Sequence, residues 1–456
     1  MQNHIIQQLK VEAKASNFRD AVQYQQRLSY WIHTNSFSRQ LEDVLDELVP
    51  DKDYLLIDQL EVELDGDNEQ ILSEQFFTNL KKTIREKIKD HRSGSVQLIS
   101  KNVFEETAIL YFLAHGFMPK GSDNELAEKV HSSIKDLQEK ENERLTALIF
   151  ETGRSNPYVW IRIYYLMGPQ GIKSFLLCHH RVSNDFLEWM ARFENELTAN
   201  TKLNNSESGN KFRPGLPVWQ VILQQLSEGR SPEDITQTLI GPDNLKVPKG
   251  TDAGELTEKK VDRHTNLNEM LKDPDTRQTL SENELKDHSF YVPNAGLVMI
   301  WAEFGLLAKN LGLVSEKNFK NVFAQQQAIL LLHYLITAET SARENELLLH
   351  KLLCDWPLDL PVDPSAFPDE SIQKLADETM EDFVSKWTNE RKFTADWLRR
   401  NFFQRDGKLS LRDDGNWELQ VTRKTEDALF DIPNSRIIKP AIVRYSWMKK
   451  LLFVQW

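Results

Sequence analysis

The stretch YLLIDQLEVELDG, Tyr54 to Gly66, is the first place where residue types and spacing could do chemistry. Glu61, Glu63 and Asp65 share one face of a strand, whose side chains alternate with a period of two. Carboxylates on one face supply the hard oxygen ligands that a divalent cation takes. Asp58 has the other parity and falls in the apolar row with Leu56 and Leu60, where it needs an arginine or a helix N-terminus as partner. The plainer reading is the exposed face of an amphipathic strand. A nuclease would need a lysine two residues beyond an acid, and this strand has none. A second pair is His350 and Cys354, four apart and so on one face of a helix, as two metal ligands would be. Two ligands do not make a site, and Cys178-His179-His180 is distant in sequence. Free cysteine is among the most commonly buried residues, which favours a core role. GxxxxGK[ST], HExxH, GxSxG and CxxC patterns are absent. The residues therefore predict no catalytic, cofactor-binding or metal site.

Bulk properties bound the remaining classes. A chain of 456 residues is expected to hold two or three domains, since cores seldom grow beyond about 250–300 residues. A hydrophobic fraction of 40% with a mean hydropathy of −0.52 describes globular bodies with real cores. The net charge of −13 repels polyanions, so nucleic acid and anionic membrane are not expected partners. Lys81, Lys82, Arg85, Lys87, Lys89 and Arg92 make one basic helix, read as a solvated face because Glu86 and Asp90 interrupt it. Two cysteines cannot build a disulfide framework and fit a reducing compartment. The opening MQNHIIQQLK lacks a basic segment followed by an apolar one, so no signal peptide is expected. AGLVMIWAEFGLLA is shorter than the about 20 apolar residues a bilayer needs, so no membrane span is expected.

Periodicity then supplies the elements. The expected fold class is α+β and mainly α-helical, in four parts. A small N-terminal α/β domain covers 1–93: a strand at IIQQLKVEA, a helix over Asn17–Leu48, a strand at YLLIDQLEVELDG and a helix over Ile71–His91. A helical domain covers 103–200, and a polar linker with a short helix at Leu216–Ser227 covers 201–289. A helical C-terminal domain covers 290–456, with helices near Ala295–Leu311, Lys317–Thr337, Glu344–Cys354, Glu370–Trp387 and Thr394–Phe403. Leu409 and Leu411 alternate before Asp414-Gly415, and Trp417, Leu419 and Val421 alternate after it, which predicts a β-hairpin. The sequence stops on LLFVQW with no polar tail. Leu452, Val454 and Trp456 are expected to pack on the hairpin as a closing strand.

Several strings carry a resemblance. VPNAGLVMIWAEFGLLAKNLGLV, QQQAILLLHYLITAE, ENELLLHKLLCDWPLDLPV, LRRNFFQRDGKLSLRDDGNWELQV and SWMKKLLFVQW occur in that order, and HIIQQLKVEA, LEDVLDELVP and LLIDQLEVELDG stand at the front. Together they resemble the contractile injection system tape measure family. The resemblance implies a non-enzymatic component of a phage-tail-like particle, templating inner-tube assembly by binding, without cofactors. It implies inner-tube and baseplate or spike proteins as partners, together with self-association. It also implies a cytoplasmic location during assembly and a place inside the particle afterwards. Asp58, Asn294, Cys354, Pro357, Trp417, Trp447, Phe453 and Trp456 are the structural or interaction candidates. A ruler needs reach: about 90 residues over Asn200–Ser289 span about 135 Å as helix and about 300 Å extended. The alternatives are a baseplate or tail-completion adaptor that sets no length, and a metal-dependent hydrolase using the acidic strand.

Overall fold

The computed structural model describes residues 22–23, 26–27, 30–32, 34–49, 53–57, 62, 69–89, 96–119, 122, 124–192, 215–240, 285, 289–387, 393–431 and 439–456. The expected strand at IIQQLKVEA and the acidic run Asp58, Glu61, Glu63 and Asp65 lie outside the described residues. The chain divides into two compact units, Met1–Thr107 and Ala108–Trp456. The architecture is mainly α with a small mixed sheet, the α+β class that the periodicity indicates.

In the first unit, helix α1 runs Asn35–Leu48, strand β1 Asp53–Ile57, helix α2 Glu69–Lys89 and strand β2 Val96–Ser100. A single helix over Asn17–Leu48 is not what forms. Thr34 has extended backbone, and its hydroxyl accepts from the Phe37 N–H at 3.2 Å, so it caps a new helix start. The strands β1 and β2 pair antiparallel, Asp53 opposite Ser100 and Ile57 opposite Val96. Phe37, Val44, Phe77, Leu80 and Ile84 form the core between α1 and α2, and the Trp31 ring meets Phe37 edge-on at 4.7 Å. Part of the basic face of α2 is paired, because Lys81 and Arg85 both reach Glu47 on α1.

The second unit begins within helix α3, Lys101–His115. Helices α4 (Asn124–Asp136), α5 (Glu143–Ser155), α6 (Tyr158–Cys178), α7 (Gly215–Ser227) and α8 (Pro232–Ile240) follow. Asn142 caps α5 by accepting from the Leu145 N–H at 3.0 Å. Helix α6 starts after Pro157 and kinks at Gly168-Pro169, where Gly168 takes a φ of 67°. The apolar spacing of Trp219, Ile222 and Leu223 seats α7 on α5 and α6, with all three side chains fully buried.

The remainder carries a five-stranded sheet and a helical layer. Strands β3 (Ser289–Val292), β6 (Gly407–Leu411), β7 (Trp417–Val421), β8 (Ile442–Val443) and β9 (Leu452–Gln455) lie in the order β3-β6-β7-β9-β8. Between them come helix α9 (Trp301–Asn310), the short ladder of β4 (Val314–Ser315) with β5 (Asn318–Phe319), and helices α10 (Val322–Thr337), α11 (Leu348–Leu353), α12 (Glu370–Trp387) and α13 (Ala395–Leu398). The helix expected over Lys317–Thr337 starts later, at α10, because Asn321 accepts from the Ala324 N–H at 2.8 Å and caps it there. The helix expected over Ala295–Leu311 divides into a 3₁₀ turn, Ala295–Ile300, and α9. A Cβ at Gly296 would collide with the Phe402 carbonyl, so this turn sits directly against the backbone after α13. The hairpin forms as expected, with Gly415 at a φ of 79° in its turn.

The last strand packs on the hairpin as expected, with Leu452 opposite Trp417 and Val454 opposite Leu419. Strand β9 lies inside the sheet, parallel to β7 on one side and antiparallel to β8 on the other. Leu452 and Val454 are buried, whereas Trp456 is half-buried against the Phe430 ring at 5.7 Å. Deleting Leu451–Trp456 therefore removes two buried apolar side chains worth about 1.5–3 kcal/mol each and leaves β8 without its ladder. Calorimetry should show the sheet melting at much lower temperature; a truncated chain melting like the full one would mean that β9 does not hold it.

Candidate functional site

Two features of the sequence look out of place until the fold explains them. Arg162 interrupts the apolar run VWIRIYYL on α6, and Lys351 interrupts LLLHKLL on α11. Both side chains are almost wholly buried, which charged groups tolerate only when paired. Their shared partner is Glu344, in the 3₁₀ turn Glu344–Glu346.

The geometry uses every donor that Arg162 has. Its Nε and Nη2 donate to the two Glu344 carboxylate oxygens at 3.0 and 3.2 Å. Its Nη1 donates to the Leu113 and Ala114 carbonyls at 2.9 and 3.0 Å, and Nη2 also reaches the Asp359 carbonyl. The planar guanidinium is suited to this because its five N–H bonds point in fixed directions. Lys351 Nζ donates to Glu344 Oε1 at 2.7 Å and to the Leu358 carbonyl at 3.1 Å. Burial lowers the Lys351 pKa, and the Glu344 charge, with that of Asp359, acts to raise it again. Gly116, at a φ of 80°, makes room: a Cβ there would collide with the Glu344 carboxylate and lie 2.8 Å from Arg162 Nη2.

The neighbours of Glu344 reach the same group of helices. Arg343 pairs with Glu128 on α4, and the Asn345 side chain hydrogen-bonds His131 Nε2 at 2.7 Å. Arg343 holds the Glu128 carboxyl below its usual range, and burial lowers the His131 pKa against the opposing bond to Asn345. Phe117 adds an edge-on contact to Phe290 at 5.0 Å. In the second unit the extensive packing of elements otherwise joins α4 to α6, runs within α5–α8, or lies within 289–456. A helical lobe and a C-terminal lobe thus meet at a joint in which ions and polar groups are prominent.

The residues singled out from sequence fall elsewhere. Asn294 is buried just before the 3₁₀ turn, and Trp417 is buried on β7 opposite Leu411. Cys354 ends α11 fully buried, its carbonyl accepting from Gln325 Nε2 at 2.8 Å, and burial pushes its thiol pKa up. Pro357 is half-buried in the following turn, where its carbonyl accepts from the Leu360 N–H at 3.2 Å. Trp447 Nε1 donates to the Leu353 carbonyl at 2.9 Å, which brings the C-terminal segment onto the end of α11. Phe453 lies under the Arg412 guanidinium, 4.3 Å from ring centre, and the Trp456 carbonyl accepts from Arg423 at 2.8 Å. His350 faces His333 with ring centres 5.6 Å apart, and burial holds both pKa values down, that of His333 at about 4. Among the described residues no three His, Cys, Asp or Glu side chains come together to hold a metal ion. No described helix is long and apolar enough to cross a membrane.

Removing one partner of a buried ion cluster leaves charge uncompensated, at a cost of about 3–5 kcal/mol. Glu344→Ala should destabilise the full chain by that amount in urea denaturation. Glu344→Ala combined with Lys351→Met should cost less than Glu344→Ala alone, because only Arg162 is then left without an anion. A double variant weaker than the single would show that Lys351 is not held through Glu344.

No curated protein and no solved structure matches the chain. The model of the contractile injection system tape measure protein family matches residues 3–456, nearly the whole sequence. The chain belongs to the contractile injection system tape measure protein family.

Proposed function

We propose that this chain is a non-enzymatic tape measure or scaffold for inner-tube assembly at the baseplate. It binds tube and baseplate or spike subunits in the cytoplasm and stays inside the finished particle. It works by holding and templating, so no bond is made or broken. The observation that carries the reading is the stretch 241–288, which is polar, has no aromatic residue, and connects two packed elements of one unit, α8 and β3. Such a composition buries little and leaves chain length available as reach.

That same anchoring supports a second reading, an adaptor that completes the tail without measuring it. A stretch of about 50 residues extends to about 160 Å, but only to about half that when both ends return to one body. A ruler therefore needs its two lobes to part, and an adaptor does not. Removing half of 241–288 distinguishes them by electron microscopy of particles. The ruler reading expects tubes shortened in proportion to the deletion; tubes of unchanged length would leave the adaptor.

A further inference from the structure

We infer that His333 and His350 form an acid-sensitive lock, which opens between α10 and α11 when either ring takes a proton. The lock is independent of the assembly role proposed above.

Both side chains are wholly buried, and their rings face each other across α10 and α11 with centres 5.6 Å apart. A neutral imidazole carries one donor and one acceptor. His333 Nε2 is engaged with the Ser341 carbonyl at 3.2 Å. Among the described residues, His333 Nδ1 and both nitrogens of His350 have no hydrogen-bond partner. Such atoms cost stability at neutral pH, and an apolar side chain would avoid that cost. Two of them in one helix–helix contact point to a task other than packing.

Among the described residues no carboxylate is set to neutralise a charge on either ring. Arg343 and Glu344 are turned to Glu128 and Arg162, and Lys351 is turned to Glu344. Asp377 on α12 and Arg399 after α13 pair with each other at 3.3 Å. Cys354, at the end of α11, is held as a neutral thiol by burial. The Glu346 carboxylate, one turn before His350, does not act on either ring; only its carbonyl opposes the effect of burial on His350.

Burial keeps both rings neutral in the folded chain, with the His333 pKa at about 4 against an ordinary 6.5. This contribution to stability is fully present above pH 6.5 and is lost progressively toward pH 4. The unfolded chain takes up protons there that the folded one refuses. From pH 7 to pH 5 the unfolding equilibrium constant should rise about twentyfold per ring. Glu346 acts in the opposite sense, because burial raises its pKa. His131 and His179, also lowered by burial, add acid sensitivity elsewhere and stay intact in the test.

The full chain is compared with His350→Leu, with His333→Gln and with both together, in urea denaturation at pH 7 and pH 5. Amide exchange with mass spectrometry, corrected for the intrinsic effect of pH, follows α10 and α11. Each single variant should show an acid-induced rise in the unfolding constant about twentyfold smaller than wild type, and the double variant a smaller one still. Wild-type α10 and α11 should exchange about tenfold faster or more at pH 5, and those of the double variant should not. Single variants that keep the wild-type pH dependence would overturn the lock, as would unchanged protection of α10 and α11 in wild type. Should His350→Leu fold poorly, His333→Gln decides alone, since its amide retains a donor for the Ser341 carbonyl.

Discussion

Glu344 sets one carboxylate between two buried cations, Arg162 and Lys351, and the relation of the helical lobe to the C-terminal lobe depends on that arrangement. Taking charges out of water is expensive, and their attraction offsets this only with good geometry and every remaining donor satisfied. Here the backbone completes the set, through the carbonyls of Leu113, Ala114, Leu358 and Asp359. Those carbonyls come from the end of α3 and from the turn after α11, so the cluster fixes several chain segments at once. An apolar joint of the same size would hold as well but would bind less selectively. An ionic joint specifies which faces meet and responds to competing charge.

This gives the family assignment a physical content. A protein that works by holding other proteins needs surfaces presented in a defined relation and a way to change that relation. The sheet supplies a firm end, because β9 is locked between β7 and β8 and the Trp447 indole ties the preceding turn to the Leu353 carbonyl. The helical lobe supplies another body, built around the apolar kinked helix α6. Between them runs a stretch whose composition favours solvent over burial.

Much of the fold is legible in the sequence, and the reasons are local. Helix α12 shows its amphipathic period over eighteen residues and begins and ends where that period does. The hairpin shows two alternating runs around Asp414-Gly415. Strand β2 escapes because VQLIS is short and follows RSGS, leaving no period to count. The break at Thr34 carries a capping signal that apolar spacing overrides, since Thr34 accepts from Phe37; α8 instead hides in a stretch whose composition reads as polar linker, although Ser231 accepts from the Asp234 N–H. The joint is half legible. A charge inside an apolar run announces that Arg162 and Lys351 are buried and paired, but nothing local names Glu344, which lies 182 positions from Arg162. The described candidates fall in turns, strands and caps between 294 and 456, and of them Pro357 directly precedes Leu358 and Asp359, whose carbonyls complete the cluster.

The most direct measurement is the distance between the two lobes before and during assembly. Fluorescent labels at the exposed positions Lys140 and Lys386, one in each lobe, would report it by energy transfer in single molecules. The account predicts one short distance in the free chain and a longer one once tube subunits are added. A distance that stays short through complete tube growth would contradict it.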